Sequence, residues 1–227
     1  MSVNPTVIFD WDGTIMNSAP RIVSAMLAAA EKVQLPIPSE MSVRQIIGLS
    51  LSNAFEILFG QLEKKIHDNL FEEYRYQYVE AQSIPTPLFD GVETLLVALR
   101  NSNINLAVAT GKARHGLERV WKINNVHELF HDSICADEAE SKPHPQMLHN
   151  LMSRNQWQSE KCIMIGDTSH DLLMANNAGI ASIGVTFGAH DLSDLVACNP
   201  FGIAHHYGEV KQVLSKWLQK INYPFVH

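Results

Sequence analysis

Thr6-Val7-Ile8-Phe9-Asp10-Trp11-Asp12-Gly13-Thr14 runs from a short apolar, β-branched stretch straight into two carboxylates two residues apart. The first four residues read as a buried parallel strand, which takes apolar side chains on both faces. Such a strand has no structural use for acids at its end. Two carboxylates held together there repel each other, and a bound divalent cation offsets that repulsion; hard oxygen ligands suit magnesium. A carboxylate beside such an ion can attack phosphorus while its neighbour carries a proton to the departing alcohol. Gly13 lets the backbone turn tightly near the phosphate. Taken alone, the same residues also fit an ordinary Asp-Gly turn after a strand.

Working outward, apolar runs recur at 106–109, 133–135, 162–165 and Ala181–Val185. Helix-period segments at 92–100, 116–123, 146–154 and 171–178 lie between them, the last ended by Gly179. This alternation predicts an α/β fold with a doubly wound parallel sheet. Reactive groups in such sheets gather where loops leave the C-terminal ends of the strands. One stretch breaks the alternation. Between strand one and the proline-rich Ile84-Pro85-Thr86-Pro87, the pattern is helical: Ile22, Met26, Ala29 and Val33 share a face, and Leu62, Ile66, Leu70, Tyr74 and Tyr78 repeat every fourth residue. Pro36 and Pro38 break the first helix from the next. The reading is a catalytic core of residues 1–15 and 86–227 with a helical cap at 16–85.

Three further loops follow apparent strands. Thr110-Gly111-Lys112 offers a hydroxyl and backbone N–H groups to phosphate oxygens. Asp137-Glu138-Ala139-Glu140-Ser141-Lys142-Pro143 sets Lys142 where an ammonium could neutralise phosphate and nucleophile, though by itself it is a solvated charge cluster. Gly166-Asp167-Thr168-Ser169-His170-Asp171 puts Asp167 at a strand end and Asp171 about one helical turn on, where a carboxylate also caps a helix. The four loops occur in order and together supply nucleophile, acid, phosphate anchors and metal site.

In these motifs the sequence resembles the haloacid dehalogenase superfamily, whose four motifs match Asp10-Trp11-Asp12-Gly13-Thr14, Thr110, Lys142 and Gly166-Asp167-Thr168-Ser169-His170-Asp171. The helical insertion resembles the cap of the subfamily containing phosphoglycolate phosphatase and beta-phosphoglucomutase. The resemblance implies a magnesium-dependent phosphatase acting on a small phosphorylated metabolite through an aspartyl-phosphate. It makes Asp10 nucleophile and metal ligand, and Asp12 the acid and base that lends its backbone carbonyl to magnesium. Thr110 and Lys142 would bind phosphate, Asp167 would complete the metal site, and Asp171 would support it. The acid at position 12 disfavours dehalogenation, because the dehalogenases lack it.

Specificity is expected in the cap, where Arg44, Gly48, Leu49 and Ser50 occupy a region that approaches substrate in similar enzymes. Gly111, Lys112 and Arg114 follow the second motif and could meet an anionic substrate. Trp11 is expected to pack beneath the site. A phosphomutase of the beta-phosphoglucomutase type uses the same motifs and stays open as an alternative. A receiver-like phosphoryl-binding module is disfavoured by the helical insertion and the fourth loop.

The formal charge of −7 over 227 residues speaks against a protein that wraps nucleic acid. No run approaches the roughly 18 apolar residues of a membrane span. Three cysteines without a C-x-x-C pair suit a reducing compartment, so a cytoplasmic protein, monomer or homodimer, is expected.

Overall fold

The computed structural model describes residues 4–81 and 83–224. Strand β1 (Thr6–Phe9) lies between β2 (Asn105–Ala109) and β4 (Cys162–Gly166), pairing with each in parallel. Beyond them β3 (Asp132–Ile134) pairs with β2, β5 (Ala181–Val185) with β4, and β6 (Gly202–Ala204) with β5. The order β3-β2-β1-β4-β5-β6 is that of a doubly wound sheet, and β1 and β4 flank the point where the winding reverses. Register sets Phe9 level with Val108 and Ile165, so Asp10, Thr110 and Asp167 leave the sheet side by side.

Because strand side chains alternate, each central strand feeds two cores. Val7, Phe9, Val108, Ile163 and Ile165 face helices α5 (Val92–Asn101), α6 (Arg114–Asn124) and α10 (Tyr207–Lys220), through Leu96, Leu99, Leu117, Leu214 and Trp217. Ile8, Ala107, Ala109 and Met164 face α7 (Gln146–Asn155) and α8 (Ser169–Asn177), through Leu148, Leu151 and Met174. Each fully buried Val, Leu, Ile, Phe or Met side chain among these contributes about 1.5–3 kcal/mol. The short helix α9 (Leu192–Val196) packs Leu195 against Leu172 and Cys198.

The insertion is helical: α1 (Ala19–Lys32), α2 (Glu40–Gln45), α3 (Leu51–Phe59) and α4 (Lys64–Tyr76), which continues into a π-helical turn, Gln77–Ala81. Ile22, Met26, Ala29, Leu70, Tyr74 and Tyr78 close a separate apolar cluster, as their spacing predicts. The ends of the insertion run together: Met16 bridges Leu88, the Asn17 N–H donates to the Pro87 carbonyl at 2.8 Å, and the Phe89 N–H to that of Ile15 at 3.0 Å.

Three details depart from the sequence reading. Strand β6, only three residues long, was too short to register as an apolar run. Helix α8 starts at Ser169, not at 171, because Thr168 caps it: the Asp171 N–H donates to the Thr168 hydroxyl, and the Asp171 carboxylate accepts from the Thr168 N–H. Helix α6 begins at Arg114 and carries Gly116 within its first turn.

Candidate active site

Loops from β1, β2 and β4, and the segment after β3, meet over the C-terminal edge of the sheet. Asp10 and Lys142 are fully buried, and the Lys142 ammonium lies 2.6 Å from Asp10 Oδ1 and 2.6 Å from Asp171 Oδ1. The second oxygen of Asp171 accepts from the Thr168 hydroxyl at 2.7 Å. Asp167 Oδ1 accepts from the Thr14 hydroxyl and Oδ2 from the Ala189 N–H, both at 2.8 Å. Gly13, at φ +80°, and Gly188 leave room for this carboxylate, since a Cβ on either would collide with it.

Negative charge outnumbers positive here. Burial, and then the Lys142 pairing acting against it, leaves Asp10 well above the ordinary carboxylate range, with Asp171 and Asp167 pushing the same way. Asp167 is pushed up to about 7, chiefly by burial and then by Asp171. Burial works to depress Lys142, yet the Asp10 and Asp171 carboxylates hold it above its usual value. One oxygen each of Asp10, Asp167 and Asp171 lies within 4.8 Å of the others, and Asp10 Oδ2 is buried with no hydrogen-bond partner among the described residues. Three carboxylates against a single ammonium, with one carboxylate oxygen left without a partner, are oxygen ligands in surplus that fit a hard divalent cation. The Asp12 carboxylate is not one of this cluster.

The Asp12 carboxylate is held by two other groups. Its Oδ1 accepts from the Ser18 hydroxyl at 2.5 Å and its Oδ2 lies 2.9 Å from the Lys112 ammonium. Lys112 also donates to the Tyr78 hydroxyl at 3.3 Å. Burial tends to lower Lys112, but Asp12 and Tyr78 raise it above its usual value. The lysine expected to attract substrate is thus already committed to Asp12. Thr110 is fully buried, with its hydroxyl accepting from the Lys112 N–H at 3.2 Å.

The cap closes directly on the second motif. A Cβ added at Gly111 would lie 2.6 Å from the Leu49 carbonyl oxygen and closer still to that of Gly48. The Ser50 N–H donates to the Ser141 hydroxyl at 3.0 Å, and His170 Nε2 donates to the Gln45 carbonyl at 2.8 Å. Gly48, Leu49, Gly111 and Lys112 share a cavity with Asp12; Arg44, on α2, is not part of its lining. Arg114 turns to Glu138 and Ser133 and braces the third loop rather than facing a substrate. Trp11 is buried edge-on to Trp121 and Phe130, as expected of packing beneath the site. Ser18, Thr14, Tyr78 and Ala189 were not singled out as site residues from sequence. Thr14 closes the first motif and was within reach of such a reading; the other three depend on tertiary approach.

The family model described as haloacid dehalogenase-like hydrolase matches residues 7–185. This chain belongs to that family. Among relatives of this haloacid dehalogenase-like hydrolase, "Probable phosphatase IndB" of Dickeya dadantii is 35% identical over 212 residues, covering 92% of each chain. The phosphoglycolate phosphatase of Vibrio vulnificus (strain YJ016) is 30% identical, covering 92% of this chain and 95% of its own. A crystal structure of beta-phosphoglucomutase from Clostridium difficile superposes with a TM-score of 0.82 at 19% identity, covering 96% of this chain and 99% of its own, a likeness of fold. No helix among the described residues is long and apolar enough to cross a membrane.

Proposed function

We propose that this hydrolase is a magnesium-dependent phosphatase that cleaves a small-molecule phosphate monoester in the cytoplasm through an aspartyl-phosphate on Asp10. The observation that carries the reading is the buried surplus of carboxylate around Lys142, with Asp10 Oδ2 unpartnered. Asp10 and Asp167, with the Asp12 backbone carbonyl, would hold the metal ion, and Asp171 would support them. When bound, the ion supplies positive charge that offsets the carboxylates and the phosphate oxygens.

In the first half, Asp10 Oδ2 forms a bond to phosphorus as the bond to the leaving oxygen breaks, and Asp12 delivers a proton to that oxygen. In the second half a water oxygen attacks the aspartyl-phosphate, Asp12 takes a proton from the water, and the Asp10 carboxylate is regenerated as phosphate departs. Lys142 and Thr110 hold the phosphate oxygens, Gly111 lets the cap approach them, and Lys112 with Ser18 keeps Asp12 aimed. Closure of the cap excludes bulk water from the charged site. The names of the curated relatives support a phosphatase; a phosphomutase reaction would use the same four loops, and the identity of the product distinguishes the two.

Phosphate release from a panel of small esters, measured with magnesium for wild type and Asp10→Asn side by side, tests the reading. Release by wild type alone, lost in EDTA and restored by magnesium, is expected. Substantial turnover by Asp10→Asn, or in metal-free buffer, would sink it.

A further inference from the structure

The cavity beside Asp12 carries information about the leaving group. It holds about 120 Å³ and lies between α1, α3, α4, α6 and the segment 46–49 that follows α2. Ile22, Met26, Ile47, Leu49, Ala54 and Phe71 form its cap wall; Asp12, Gly111, Lys112 and Gly116 form the core side. An apolar protein cavity of about 150 Å³ accepts a benzene ring, so this space matches one small hydrocarbon group.

We propose that the physiological ester carries a single apolar ring or a short branched hydrocarbon on its leaving oxygen, seated in this cavity. The inference rests on the phosphatase reading above, which sets the departing oxygen beside Asp12. A carboxylate on the leaving group would give up its hydration against aliphatic walls and would need a dedicated cation. Of the cations lining the cavity, Lys112 is already paired with Asp12 at 2.9 Å and Arg75 with Glu72 at the surface; Arg119, over the Tyr78 ring at 5.8 Å, and His115 are the two that a carboxylate would have to recruit. Tyr74 and Tyr78, stacked 6.0 Å apart on the same wall, present aromatic surface, and burial holds the Tyr74 hydroxyl neutral well above its usual range. A hydrocarbon asks nothing of these groups and gains by leaving water.

The test pairs binding with turnover on the full-length protein in magnesium. Benzylphosphonate and phosphonoacetate, neither of which can be hydrolysed, are titrated by calorimetry; benzyl phosphate and phosphoglycolate are compared as substrates. Benzylphosphonate should bind more tightly by about tenfold or more, the factor expected for burying roughly 60 Å² of apolar surface. Benzyl phosphate should show a kcat/KM advantage of the same order. Gly116→Leu fills the cavity from α6, where an added Cβ meets nothing nearer than the Lys112 Cβ at 4.0 Å. It should erase both preferences while leaving inhibition by inorganic phosphate unchanged. Equal or tighter binding of phosphonoacetate overturns the proposal, as does a phosphoglycolate preference that Arg119→Met abolishes. The two readings fail separately. Selective benzylphosphonate binding without Asp10-dependent release from any ester would leave the apolar subsite standing and remove the phosphatase, whereas hydrolysis without apolar preference would do the reverse.

Discussion

Lys142→Met removes the ammonium that faces three buried carboxylates while keeping a flexible side chain of similar length. Lys142 Nζ sits 2.6 Å from both Asp10 and Asp171, and all three residues are at most 1% exposed. Removing one partner of a buried ion pair costs about 3–5 kcal/mol, because the charge left behind has neither water nor counter-ion. Against a total stability of about 5–15 kcal/mol, that is a large part of the fold's margin. The loss must depend on pH. Asp10 and Asp167 are held above the ordinary range, Asp167 at about 7, so lowering the pH neutralises the surplus that Lys142 balances. Urea unfolding in EDTA should therefore show the full deficit near pH 8 and a much smaller one near pH 5, with an unchanged m-value. A deficit below about 1 kcal/mol at pH 8, or one that grows on acidification, would refute the charge argument.

The metal-free wild type should itself lose stability as pH rises. The raised Asp10 and Asp167 favour the fold in their neutral forms, so for Asp167 the contribution is full below the ordinary value of 3.8 and is lost as pH passes through about 7. Magnesium should raise Tm strongly at pH 8 and weakly at pH 5; a Tm in EDTA that climbs between those pH values contradicts this. Gly111→Ala pushes a methyl group into the Gly48 and Leu49 carbonyls and should hold the cap off the core, lowering kcat/KM at least tenfold with little change in core stability. Small-angle scattering that shows no expansion, with normal kinetics, would argue against it. Lys112→Met deprives Asp12 of its partner at 2.9 Å and should lower kcat by about tenfold to a hundredfold, part of the roughly hundredfold to ten-thousandfold that general acid–base catalysis supplies. Unchanged kcat would remove Lys112 from the proton machinery.

The strands β1, β2, β4 and β5 were legible because buried parallel strands are written as apolar runs, and the acids at their ends break those runs abruptly. The helical insertion was legible from Ile22, Met26 and Ala29, whose spacing leaves them on one buried face. What sequence could not show is pairing across distance. Nothing near Lys112 in the chain indicates that it would salt-bridge Asp12, a hundred positions earlier (112 − 12 = 100), or that Tyr78 would lie beneath it. Arg44 and Arg114 illustrate the converse: a cation close to a motif is placed by helix phase and by local acids, and Glu138 takes Arg114 at 2.7 Å. The cavity beside Asp12 was invisible for the same reason, since its walls come from α1, α3, α4, α6 and the segment 46–49 at once.

The bridge between Met16 and Leu88 makes the attachment of the insertion a socket. Its two ends are one strand spacing apart, about 5 Å, so any unit whose termini lie that close can be joined there without stretching the sheet or moving Asp10. Loop-closure entropy rises only slowly with the length of what is joined, about 0.6 kcal/mol per doubling. On the proposed function, a different insertion spliced between residues 16 and 88 would leave Asp10 in its place, but would have to supply new partners where Ser18 now holds Asp12 and Tyr78 holds Lys112.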